Sequence, residues 1–265
     1  MPLFPSVFIS HGSPAILLEP TPSHHALLGL GASLSEAAGR LPSVIVSVTA
    51  HWETAEATVS TAANPPMIYD FWGFPKPLYE AVYPAPGQPE VARRAISLLQ
   101  QAGVAVRADG QRGYDHGTWI PLALMFPQAT IPVVQVSVQS GRNGAHHWAV
   151  GRALRALRAD GALIIGSGSL THNLRAVHWG NVDAPAPDWV ESFGNWIEDA
   201  VVAGEWEKIR DHWHEAPFSA RNHPSPEHFL PLLVAAGAGS DQGQGTVLHR
   251  GTELGVLRMD AYAFS

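Results

Sequence analysis

The sequence has no cysteine. Disulfides, thiolate metal sites and cysteine nucleophiles are excluded together, which leaves imidazole and carboxylate as the strong metal ligands. Lysine is nearly missing too. Of 16 basic residues only Lys76 and Lys208 are lysines, and no basic run is longer than Arg93-Arg94. With a net charge of −7, the chain lacks the electrostatic footprint of a nucleic-acid binder. No uninterrupted apolar stretch approaches the ~18 residues of a membrane span, and Met1 to Pro5 lacks the basic segment that opens a signal peptide. The expectation is a cytoplasmic protein with neither nucleic acid nor membrane as a partner. Charged residues are scarce at 15% against 46% hydrophobic, a balance that excludes disorder for the bulk of the chain. What the sequence has in excess is histidine: 14, against 16 Lys plus Arg.

A length of 265 residues, with no internal repeat and no long linker, reads as a single domain over 1–265. Short β-branched runs at 6–9, 44–48, 131–138 and 162–166 read as strands covered on both faces. Helical patterns lie between them at about 24–40, 88–102, 118–126 and 145–159. This alternation predicts an α/β fold, with a central mostly parallel or mixed sheet flanked by helices. Two helices are expected at about 188–214. Another is expected to open at Ser225-Pro226-Glu227, with Ser as N-cap and Pro at the first helical position, and to run to about Ala236. A Gly-rich stretch, 237–245, then leads to strand-like segments at 256–259 and 261–262.

Three histidines stand at the ends of expected strands: His11 after the first, His51 after the second, and His172 beyond Gly166-Ser167-Gly168-Ser169. In open α/β sheets ligands bind outside the carboxyl ends of the strands, so these imidazoles should converge there. His228 falls in the first turn expected for the helix after Ser225, and His116 sits in the polar turn Asp115-His116-Gly117. The spacings are too long for a local motif such as H-E-x-x-H, so a metal site must be assembled by the fold. Taken singly, each of these residues reads more readily as a hydrogen-bonded structural histidine than as a ligand, and it is the three together that raise the case for a metal. The other nine, His24, His25, His146, His147, His178, His212, His214, His223 and His249, are expected to be surface or capping residues.

Weaker signals remain open at this level. Gly166-Ser167-Gly168-Ser169 could cradle an anion but matches no phosphate motif, so a tight turn is expected. Ser13 beside His11 could be a nucleophile, although Pro14 fits better with a rigid ligand loop. The aromatic run 69–75 is either a core cover or the wall of an aromatic pocket.

In combination, His11-Gly12-Ser13-Pro14, Ala50-His51-Trp52, Asp115-His116-Gly117-Thr118-Trp119, His172-Asn173-Leu174 and Pro226-Glu227-His228-Phe229-Leu230-Pro231-Leu232 resemble the class III extradiol ring-cleavage dioxygenases, specifically the LigB-like DOPA 4,5-dioxygenase branch. Segments around 68–75 and 83–87 follow in the same order. The resemblance implies a mononuclear non-haem metal on His11, His51 and His228, with His172 as catalytic acid/base. It also implies a substrate-orienting or supporting role for His116, with Asp115 a candidate to fix its tautomer. Fe(II) is the metal that activity would need, while three neutral imidazoles also suit Zn2+. The partners implied are a small catechol and O2, and the product a muconic semialdehyde. Two alternatives stay open. One is a zinc hydrolase of esters or amides with Glu53 or Glu227 as general base. The other is a metal-binding protein without turnover. The particular catechol, the regiochemistry and the oligomeric state are not legible.

Overall fold

The computed structural model describes residues 2–239 and 243–265, so the middle of the Gly-rich stretch at 237–245 lies outside the described residues. Among the described residues ten strands form: β1 Ser6–Ser10, β2 Val44–Glu53, β3 Ala57–Ser60, β4 Val106–Asp109, β5 Val133–Val138, β6 Ala162–Gly168, β7 Gly245–His249, β8 Thr252–Glu253, β9 Leu257–Arg258 and β10 Ala261–Phe264. Eight of them make one mixed sheet in the order β4-β3-β5-β2-β6-β1-β10-β7, and β8 pairs with β9 apart from it. The centre, β5-β2-β6-β1, is parallel, and the β3–β5, β1–β10 and β10–β7 pairings are antiparallel.

The helices are α1 Pro22–Ala38, α2 Lys76–Glu80, α3 Pro89–Gln101, α4 His116–Met125, α5 Gly144–Leu154, α6 Asp188–Ala203, α7 Trp206–Arg210, α8 His212–Glu215, α9 Ser219–Asn222 and α10 Leu230–Ala238. Strand side chains alternate between two cores, as the period of two requires. Val44, Val46 and Val48 enter one core with Leu99, Leu154 and Leu232, on the side of α3, α5 and α10. Ile45 and Val133 enter the other with Leu34 and Ile120, on the side of α1 and α4. The central strands are buried along their whole length up to the last residues of β2, which is why they read as continuous apolar runs.

Two expectations are corrected. The helix after Ser225 begins at Leu230, and His228 sits in the turn before it rather than in its first turn. Pro231 is the reason: with no N–H it cannot donate back to Glu227, so it fits only at the start of the helix. Gly166-Ser167-Gly168 is not a tight turn but the end of β6. A Cβ on Gly168 would stand 2.1 Å from the His228 carbonyl oxygen, so glycine there lets the His228 turn lie directly on the strand. Strands β3, β4 and β7, absent from the sequence expectation, are short and lie toward the two edges of the sheet.

Candidate metal centre

The pairing of β6 with its two parallel neighbours, β1 and β2, runs out at one level. Ser10 of β1 pairs with Gly168 of β6, and Thr49 of β2 pairs with Ser167. His11 follows directly, its backbone N–H donating to the Gly168 carbonyl at 2.9 Å. His51 lies inside the last part of β2 rather than beyond it. There the pairing with β5 jumps from Val48–Val136 to Glu53–Val138, so His51 stands in a bulge that turns its ring toward His11. Arg112 holds this bulge by donating to the His51 carbonyl (3.0 Å) and to Asp115 Oδ2 (2.7 Å).

The Nε2 atoms of three histidines meet above the strand ends. His51 Nε2 lies 3.1 Å from His11 Nε2 and 3.3 Å from His228 Nε2. The opposite nitrogens show which atoms carry hydrogens. The Ser167 hydroxyl donates its one proton to the Gly117 carbonyl and therefore accepts from His11 Nδ1 at 2.9 Å. His228 Nδ1 donates to Glu227 Oε1 at 2.9 Å, and His51 Nδ1 lies 3.3 Å from Asp70 Oδ2. With the Nδ1 positions protonated, the three Nε2 lone pairs face one another. Burial first, then repulsion from neighbouring rings, holds all three pKa values well below the ordinary histidine range, so no proton relieves the contact. Metal–nitrogen bonds of ~2.1 Å place adjacent ligand nitrogens about 3.0–3.4 Å apart. The observed spacing fits that requirement, and the three imidazoles can hold a metal.

Two more histidines flank this group. Ligand atoms of His116 come within 4.8 Å of those of His11 and His51, and those of His172 within 4.8 Å of those of Glu227 and His228. His116, the first residue of α4, donates from Nδ1 to Asp70 Oδ1 at 2.9 Å, which leaves its Nε2 for a ligand. Gly117 beside it is required, because a Cβ there would stand 2.8 Å from the His51 ring. His172 stacks flat on His228, with centroids 3.4 Å apart and planes 12° from parallel. Burial, then His223 and His116, lowers its pKa to about 3, so the ring is neutral.

The carboxylate that orients His116 is Asp70, not Asp115. Asp115 caps α4, accepting from the Thr118 N–H and the Thr49 hydroxyl at Oδ1 and from Arg112 at Oδ2. Asp70 bridges His116 and His51. Burial would raise its pKa, but the hydrogen bonds from the His116 ring and backbone, with the electrostatic influence of the two neighbouring imidazoles, outweigh this and bring it down to about 2. Sequence reasoning missed Asp70, although it is the one acidic residue in the aromatic run 69–75. That run serves both suggested purposes. Tyr69 packs edge-on against buried Trp119, whereas Phe71, Trp72 and Phe74 line a cavity of about 650 Å3 together with His11, His51, His116 and His172. Trp72 and Trp179, 86% and 61% exposed, form its mouth.

The other sequence expectations divide. Ser13 caps the 3-10 turn Pro14–Leu17 by accepting from Ala15 N. Glu227 Oε1 accepts from His228 Nδ1 and from the Ser225 hydroxyl, and Glu53 Oε2 accepts from the Ser140 hydroxyl. Three histidines expected on the surface or at caps are buried: His147, His212 and His223. A neutral imidazole packs as a flat ring once a nitrogen is satisfied, as His212 does against Phe229 at 3.7 Å, and hydrophobic periodicity does not register this.

A family model described as the catalytic LigB subunit of aromatic ring-opening dioxygenase matches residues 5–257. A Portulaca grandiflora protein named 4,5-DOPA dioxygenase extradiol is 40% identical over 98% of this chain and 95% of its own length. An Escherichia coli K12 protein of the same name is 38% identical, covering 96% and 92%. Among solved structures, an uncharacterized protein of E. coli K12 matches with a TM-score of 0.80 and 33% identity, over 99% of this chain and 100% of its own.

Proposed function

The chain belongs to the LigB family of aromatic ring-opening dioxygenases, and we propose that it opens DOPA-like catechols beside an Fe(II) ion held by His11, His51 and His228. It is an extradiol dioxygenase, an oxidoreductase of a metal-dependent family whose substrates are an aromatic ring and O2. Among the described residues no helix is long and apolar enough to cross a membrane. The proposal treats 1–265 as one catalytic domain.

The observation that carries the ligand assignment is the meeting of three unprotonated Nε2 atoms 3.1 and 3.3 Å apart, with Nδ1 of His11 and of His228 hydrogen-bonded to a hydroxyl and a carboxylate and that of His51 lying 3.3 Å from Asp70. His116 lies close by, but its free nitrogen is better used on substrate. Asp70 and Glu227, each at the back of a ligand imidazole, bring two negative charges that balance a divalent cation in a buried site. When bound, Fe(II) supplies Lewis acidity toward the catechol oxygens, open positions for substrate and O2, and the electron that activates O2. Zn2+ fits the same three imidazoles but lacks that electron.

The chain's own groups do the rest. Phe71, Trp72 and Phe74 give the ring an apolar slot in a cavity of a size suited to a small aromatic ligand. His172, neutral and stacked over His228, takes a catechol proton and returns one as the ring opens. His116, its Nδ1 held by Asp70, directs Nε2 at a substrate oxygen and fixes the ring's orientation.

The test is anaerobic reconstitution with Fe(II), then exposure to catechol, protocatechuate, DOPA or caffeate in air. Yellow semialdehyde absorbance with stoichiometric O2 uptake is expected, strongest for DOPA-like rings. His172→Ala should keep metal and lose at least about 100-fold in turnover, the usual scale of general acid–base catalysis, while His11→Ala and His51→Ala lose metal. Normal turnover by His172→Ala would remove its assigned role. Silence across the panel, with Zn2+-dependent ester hydrolysis, would overturn the reaction.

A further inference from the structure

Among the described residues, the ring of His172 is placed by its stack on His228, and neither of its nitrogens makes a hydrogen bond within the chain. Its position therefore depends on how its backbone is held. We propose that the segment Arg221–His223 is a clamp that positions His172, with His223 as its principal member. This rests on the reading of His172 as the acid/base.

Three hydrogen bonds join the two segments in opposite directions. His223 Nε2 donates to the Leu170 carbonyl at 2.8 Å, the His172 N–H donates to the Asn222 carbonyl at 2.9 Å, and Asn173 Nδ2 donates to the Arg221 carbonyl at 2.7 Å. The loop carrying His172 is thus fastened before, at and after that residue. The clamp is itself anchored. Asn222 Nδ2 donates to the Trp189 carbonyl at 3.0 Å, and the His223 ring packs beside Phe193 and Phe229, with centroids 5.6 and 5.4 Å away.

His223 is fully buried, and its Nδ1 has no partner among the described residues. The ring thus accepts the cost of one unsatisfied nitrogen among phenylalanines and makes a single hydrogen bond, to the loop of His172. An apolar side chain would fill this space without that cost, but it could not hold the Leu170 carbonyl. Five residues further along the same segment comes His228, so one stretch of chain both grips the acid/base and carries the ligand beneath it.

The experiment compares His223→Leu, His223→Gln, Asn173→Ala and His172→Ala in the Fe(II)-reconstituted full chain. Steady-state turnover of a catechol, bound metal and amide hydrogen exchange at 170–173 in the metal-free protein are measured. His223→Leu should keep its metal and hold KM within about twofold, while kcat falls by about ten- to a hundredfold, as small displacements of a reacting group do. Exchange at 170–173 should quicken at least tenfold. The side-chain amide of His223→Gln can place a donor where Nε2–H stands, and should recover kcat to within about threefold. Asn173→Ala should show a smaller loss in kcat and faster exchange, and it carries the test if His223→Leu fails to fold. Unchanged kcat and exchange in His223→Leu, or loss of its metal, would overturn the clamp. So would a Gln variant as impaired as Leu, or an unaltered Asn173→Ala. An active His172→Ala overturns the acid/base reading instead, whereas normal His223→Leu beside inactive His172→Ala overturns the clamp alone.

Discussion

Five imidazoles cluster at the strand ends, four of them lining the cavity, and the partner of each Nδ1 helps to distinguish them. His11 meets a hydroxyl, while His51, His116 and His228 meet carboxylates; His172 has no such partner among the described residues. Asp70 serves two rings at once, so Asp70→Asn should affect both ligand geometry and substrate orientation. The amide keeps the shape but loses the charge and one acceptor. Metal affinity is expected to drop about 10–100-fold, as when supporting carboxylates of ligand histidines are removed, with kcat lowered as well. Competition with a chelator measures the first, and affinity equal to that of the unaltered protein would refute the bridging role. The five histidines were legible because they stood at strand ends and turns. Asp70 was hidden because its meeting with His116, 46 residues away, is made only by the fold.

At the level of elements, the site depends on two departures from regular strand structure. The bulge in β2 turns His51, and the glycine end of β6 admits the His228 turn. Gly168→Ala would push a methyl group into the His228 carbonyl, and the turn cannot yield without moving His228. We expect a loss of about 1–3 kcal/mol in stability, the scale of overpacking, together with weaker metal binding. Gly29→Ala in α1 is the control, since no atom lies within 4 Å of its new Cβ, and it should be neutral or stabilising by up to about 1 kcal/mol. Thermal melts and metal titration of the two variants decide the matter, and equal behaviour would refute the close-approach argument. Periodicity located the central strands and longer helices to within a few residues. It misplaced the start of α10 because Ser225-Pro226-Glu227 has the composition of a cap while Pro231 dictates where the helix can begin.

For the whole molecule, the buried histidines make folding depend on pH. Burial lowers the pKa of His147 to about 4, of His212 to about 3 and of His223 to about 4, all below the unfolded value. Between these values and about 6.5 the unfolded chain binds more protons than the folded one. Stability is therefore fully present above about pH 6.5 and lost as pH falls toward 4. By pH 5 each ring should contribute about 2 kcal/mol of destabilisation, so the melting midpoint of the metal-free protein should drop by more than about 10 °C between pH 7 and 5. A flat midpoint over that range would show these rings to be accessible to protons in the folded state.

The sequence by itself determined the class of architecture and the kind of chemistry. Alternating apolar runs specify a covered sheet, the lack of cysteine leaves nitrogen and oxygen ligands, and histidines beyond strand ends must gather at one edge. Those are local consequences of composition and period. Only the tertiary structure decided which nitrogens face one another, that Asp70 rather than Asp115 holds His116, and which of the remaining histidines are buried. Each of these is a contact between segments distant in the chain, set by strand register and by a few ångströms of backbone approach at Gly117 and Gly168, and no local pattern carries that information.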